Sequence, residues 1–240
     1  MTERDAMAEA VRRARSVRGT TAPNPPVGAV LMRGDLVLGG GATHPVGGPH
    51  AEVVALAEAR AAGHDPRGAT MVVTLEPCCH HGRTPPCTDA LLAAGVARVI
   101  AGAVDPFPRV AGRGLARLRE AGVDVVVVDD AAAAALIAPF AKVLATGLPQ
   151  LECAGNDPEH SYDAVIVDVA RSAMAMTLAV RAPPGPAPSA REVWWSDEPE
   201  EVLLRRLAAA GRHRVLLDVA DLTPWASWLA PATSRDRRPR

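Results

Sequence analysis

Pro49-His50-Ala51-Glu52-Val53-Val54 and Thr74-Leu75-Glu76-Pro77-Cys78, followed after eight residues by Cys87, are the segments from which this 240-residue chain is best read. Residues 50–62 place Val53, Leu56 and Ala57 on one face and stop at Gly63, which predicts a helix. Residues 70–75 are a β-branched apolar run, which predicts a strand. Residues 76–86 hold Pro77, Gly82, Pro85 and Pro86 and predict irregular structure. Thr84 is placed to cap a following helix, with Pro85 in its first position and Gly95 at its end.

The alternation continues outward. Residues 98–104 and 123–128 read as strands, and 115–121 and 131–145 as helices. Before the central segments, Met7, Ala10, Val11, Ala14 and Val17 recur at helical spacing. Residues 27–32 and 36–38 flank Arg33-Gly34-Asp35 and read as a hairpin. Gly39-Gly40-Gly41 is read as the end of a strand. Strands alternating with helices predict an α/β layered domain. The character changes near Gly147. Beyond it, residues 149–163 show no clear period, 165–169 and 214–217 read as strands, 200–210 as a helix, and the proline-rich 182–190 as a linker. Two domains are expected, 1–147 and a small degenerate α/β domain over 148–240.

Composition narrows the function. The formal net charge is −1 and aromatics are 3%. That gives neither the basic field nor the stacking platforms of a nucleic-acid binder, so none is expected. The basic run at 235–240 reads as a solvated tail. No segment has the ~20 apolar residues of a membrane helix, and the charged start at Met1 to Asp5 does not resemble a signal core. A cytoplasmic location is expected, where four cysteines speak for metal or catalysis rather than disulfides.

One imidazole and two thiolates, from His50, Cys78 and Cys87, leave a fourth position of a tetrahedral zinc free for water. Glu52, two residues from His50, is then placed to move protons without acting as a ligand. Cys87 in the first turn of a helix has a local field that favours thiolate. A structural zinc with a fourth ligand from Cys79, His80 or His81 stays open. Cys79 otherwise reads as a bystander and Cys153 as packing or surface.

These residues resemble the deaminase domain of the bifunctional riboflavin-biosynthesis deaminase-reductases. The likeness extends from Pro23-Asn24-Pro25-Pro26-Val27-Gly28, through Pro49 to Glu52 and Thr74 to Cys87, to Asp105-Pro106 and Val110-Ala111-Gly112-Arg113-Gly114. It implies a three-layer α/β/α cytidine-deaminase-like fold with a mixed sheet and one zinc per chain. It further implies deamination of a diaminopyrimidinone carrying a ribosylamino phosphate. Glu52 would be catalytic, and Asn24, His44, Ala51, His80, Arg83 and Asp105 would face the substrate. A homo-oligomer is implied as well.

Two positions depart from the family pattern. Thr43 stands where it has His, with His44 one place later, and Phe107 stands where it has Asn. Beyond residue 147 the likeness to the reductase is faint and shortened. Residues 152–160 replace a lysine-bearing segment, and 218–221 replace a glycine-rich one. No NADPH is expected. A paralogous deaminase of a related amino-heterocycle and a non-enzymatic zinc-binding assembly protein remain the alternatives.

Overall fold

The structure, a computed structural model, describes residues 1–153, 164–171, 176–181, 194–196 and 200–218. The chain divides into two compact units, Met1–Thr146 and Gly147–Arg240. The expected linker at 182–190, the tail at 235–240, the replaced segments beyond residues 153 and 218, and the Cys153 side chain lie outside the described residues.

In the first unit, α1 (Glu3–Ser16) begins with a capping box in which Thr2 accepts from the Asp5 N–H and the Asp5 side chain accepts from Thr2. A hairpin follows, β1 (Gly28–Arg33) and β2 (Leu36–Ala42), then α2 (Ala51–Ala61) and β3 (Thr70–Val73). The remaining elements are α3 (Cys87–Ala93), β4 (Arg98–Ala101), α4 (Arg113–Glu120), β5 (Asp124–Val127) and α5 (Ala131–Thr146). The sheet order is β2-β1-β3-β4-β5. β1 runs antiparallel to β2 and β3, while β3, β4 and β5 are parallel, so the sheet is mixed.

Period-two alternation sorts the strands' side chains into two layers. Ala29, Leu31, Met71, Val73, Val99 and Ala101 pack with α2, α3 and α4 residues such as Leu56, Leu91 and Leu118. Val30, Met32, Val72 and Ile100 pack with Ala6, Met7 and Ala10 of α1. Val11 and Ala14 of α1 meet Ala133 and Leu136 of α5. The result is the three-layer α/β/α arrangement.

Three local expectations are corrected. The glycine run lies inside β2, not at its end. A Cβ at Gly39 would stand 2.5 Å from the Ala55 carbonyl oxygen, and one at Gly41 would collide with that of Ala51. The glycines therefore let α2 lie directly on the strand. The buried face of α2 is accordingly Ala51, Glu52, Ala55, Leu56 and Ala59, with Val53 half-buried and Ala57 exposed. Thr84 does not cap α3; Pro86 occupies the N-cap and the helix begins at Cys87.

Among the described residues the second unit has its own five-stranded sheet, where the sequence suggested only two strands. It comprises β6 (Gln150–Cys153), β7 (Ala164–Arg171), β8 (Met176–Arg181), β9 (Trp194–Ser196) and β10 (Arg214–Asp218), with α6 (Glu200–Ala209) before the last strand. The order is β6-β10-β7-β8-β9, parallel across the first three and antiparallel across the rest. Leu203, Leu204 and Leu207 of α6 are fully buried.

Candidate active site

Two helix N-termini and one strand end meet at the base of a cavity. His50 is the N-cap residue of α2, and its side chain makes no capping bond, which leaves the ring free for other partners. Cys78 lies just beyond β3, and Cys87 is the first residue of α3. Their ligand atoms lie within 4.8 Å of one another. His50 Nδ1 is 3.7 Å from Cys78 Sγ and 3.3 Å from Cys87 Sγ. Its Nε2 stands 3.5 Å from the Thr84 hydroxyl. The Cys87 backbone N–H donates to Cys78 Sγ at 3.3 Å.

The electrostatics suit a cation. Contact with the Cys87 thiol, and then with His50, lowers Cys78 to about 4, while the same contact and burial push Cys87 up. The two sulfurs thus compete for one proton, and a divalent ion between them would remove the competition. One imidazole nitrogen and two thiolate sulfurs form a zinc-type donor set, and three protein ligands leave a position open. The residues present fit zinc.

Glu52 sits in the first turn of α2 and is 3% exposed. Burial, and then the Cys78 thiolate, raises it to about 7. Its carboxyl meets the Cys87 thiol, and Glu52 lines the cavity.

The cavity holds about 250 Å³. Its lining brings together His50, Glu52 and Cys78 with Asn24, His80, Arg83 and Asp105. Asn24 follows a cis Ala22–Pro23 bond, and its N–H donates to the Thr21 carbonyl. Asp105 accepts from the Phe107 N–H at 2.8 Å, and burial raises it to about 6. Arg83 is exposed at the rim. Two named residues do not reach the lining. His44 is exposed, and the neighbouring Thr43, 2% exposed, lines the cavity instead. Ala51, the first residue of α2, is fully buried. The sequence reading missed Thr84 behind His50, Phe140 in the cavity wall, and the Glu76 carboxylate. Gly112 and Gly114 were the available signal for Glu76, since they let a backbone approach closely.

Residues 1–103 match the zinc-binding region of cytidine and deoxycytidylate deaminases. The matched stretch lies wholly within the first unit and contains His50, Glu52, Cys78 and Cys87. The chain is 51% identical over 149 residues to the riboflavin biosynthesis protein RibD of Escherichia coli, which is 61% of this chain and 39% of that one. To the RibD of Synechocystis it is 53% identical over 114 residues, 48% of this chain and 30% of that one. The chain thus spans well under half the length of these curated relatives.

Among solved structures, RibD of Acinetobacter baumannii matches with a TM-score of 0.73 and 26% identity, covering 95% of this chain and 84% of that one. A Thermotoga maritima diaminohydroxyphosphoribosylaminopyrimidine deaminase/5-amino-6-(5-phosphoribosylamino)uracil reductase matches with a TM-score of 0.75 and 25% identity. It covers 95% of this chain and 83% of that one. No described helix is long and apolar enough to cross a membrane.

Proposed function

We propose that the deaminase domain removes an exocyclic amino group hydrolytically from a diaminopyrimidinone bearing a ribosylamino phosphate. The observation that carries this is the buried Glu52 carboxyl beside the His50, Cys78 and Cys87 cluster on a cavity floor. His50, Cys78 and Cys87 would hold one zinc, whose Lewis acidity, when bound, makes water nucleophilic at neutral pH. Glu52 accepts the proton that the attacking water gives up and hands it to the departing nitrogen, so the ring gains oxygen and ammonia leaves. Asn24 and Asp105 face the ring and its sugar side. Arg83 at the rim offers a forked donor for phosphate. Likeness to RibD proteins supports this substrate class.

The second unit is read as a reductase-like domain without a reductase step. Support comes from residues 218–221, where Asp218-Val219-Ala220-Asp221 stand in place of glycines that let a backbone approach phosphate. Saturable NADPH binding by the full chain would overturn that assignment. A cytoplasmic homo-oligomer belongs to the same proposal, and sedimentation would test it.

A second reading, a deaminase of a related amino-heterocycle, is favoured by one observation. Both phenylalanines of the chain, Phe107 and Phe140, line the cavity. An ammonia-release assay should compare the riboflavin intermediate, its dephosphorylated form, cytidine and guanine. Preference for cytidine or guanine sinks the leading reading, and equal rates with and without phosphate remove the role of Arg83. In parallel, Cys87→Ser should lose zinc by elemental analysis. Glu52→Gln should keep zinc and lose turnover by about 10²-fold or more. If Glu52→Gln loses zinc, Glu52 is a ligand and the mechanism fails.

A further inference from the structure

Glu76 is 3% exposed, yet no cation pairs with it among the described residues. Its carboxylate accepts four backbone N–H groups. Oε2 takes those of Asp105 at 3.1 Å and Gly112 at 2.8 Å. Oε1 takes those of Gly114 at 2.9 Å and Leu115 at 3.3 Å. Three of the four belong to the N-terminal turn of α4, where Gly112 is the N-cap in a left-handed conformation and has no side chain to cap with. Glu76 supplies from a distance what a capping side chain supplies locally. A Cβ at Gly114 would collide with the Pro77 carbonyl oxygen, so this turn lies directly on the backbone leading to Cys78.

The fourth donor is the one that matters for the cavity. Asp105 is held through its N–H by Glu76, and its own carboxylate holds the Phe107 N–H. The Phe107 ring stands 5.8 Å from the ring of His80. Asp105, Phe107 and His80 all line the cavity. None of the four bonds runs to a metal-ligand residue.

We propose that Glu76 is a positioning residue of the deaminase site, holding the segment 105–115 so that Asp105 and Phe107 stand where the substrate must meet them. The proposal rests on the function proposed above. Carboxylate chemistry is required, because all four partners are donors. A glutamine would turn an NH2 group toward two of them and leave those buried N–H groups unpaired.

The test uses Glu76→Gln in the full zinc-loaded chain, with Glu76→Asp as a variant that keeps the charge. Glu76→Gln should retain one zinc per chain, raise KM for the ribosylaminopyrimidine phosphate about ten-fold and change kcat little. In an Asp105→Asn background the same substitution should raise KM much less, since Glu76 acts through Asp105. Hydrogen exchange should quicken in the segment 105–115 and not at the start of α2, a readout that needs no substrate. Glu76→Asp should restore part of the exchange protection. Loss of zinc in Glu76→Gln, an unchanged KM, full additivity with Asp105→Asn or unchanged exchange at 105–115 would each overturn the proposal. If the wild-type chain turns over no aminopyrimidine, the functional reading falls, while the exchange comparison still judges Glu76.

Discussion

Imidazole has two nitrogens, and a ligand histidine needs the correct one turned to the metal. Thr84 lies against Nε2 of His50 while Nδ1 faces both sulfurs. Partners of this kind fix ring orientation and tautomer. Thr84→Val should lower zinc affinity about ten-fold, read by competition with a chelator; an unchanged affinity would deny the hydroxyl that role. Asp105 gives a pH signature. Burial raises it to about 6 from an ordinary 3.8. Between those values the folded chain keeps a proton that the unfolded chain has released, so this group's contribution to stability falls as pH rises through the window. Asp105→Asn should flatten the pH dependence of the melting temperature there, and an unaltered slope would show that other groups set it. His50, Glu52, Cys78 and Cys87 were legible by residue type, although His50 lies 28 and 37 positions from the two cysteines. Thr84 and Glu76 were not, because a hydroxyl or a carboxylate suits many roles, and only the fold shows that these two meet His50 and the backbone of residues 105–115. The offset between Thr43 and His44 was visible in sequence, but only burial shows that Thr43 took the inward place.

At the scale of elements, the helix that carries His50 and Glu52 is placed by small residues. Gly39 and Gly41 of β2 accept Ala51, Ala55 and Ala59 of α2 with no side chain between them. Gly39→Ala would set a methyl 2.5 Å from the Ala55 carbonyl oxygen. It should cost about 1–3 kcal/mol of stability in chemical denaturation and weaken zinc binding in the same variant. Retention of both would mean that α2 can lift off the strand without cost. The strand–helix order was legible from period and breakers. The extent of β2 was not, because a glycine run has no alternation to read. The start of α3 was misplaced for a related reason, since Thr84 has chemistry suited to a cap but is drawn to His50 instead.

For the whole molecule, the two units have separate sheets, and the metal cluster found among the described residues lies wholly in Met1–Thr146. An ion that binds only the folded state stabilises by mass action, by about 4 kcal/mol at roughly a thousand times Kd. Calorimetry of the full chain should therefore show two transitions, with a chelator lowering only one. A single transition that shifts as a whole would show that the units unfold together. The fold of the second unit was poorly legible because its strands alternate weakly and its likeness to known segments is faint. The seat of α2 has a consequence for motion. Alanine and glycine have no side-chain rotamers to lose on ordering or to exchange once ordered. Where Ala51, Ala55 and Ala59 sit on Gly39 and Gly41, α2 therefore has no side-chain rearrangement through which to loosen, and the central amides of that face should exchange by opening of the surrounding unit. The helix that presents the imidazole and the carboxyl is thus a clock for global opening, its slowest amides reporting the stability of the domain.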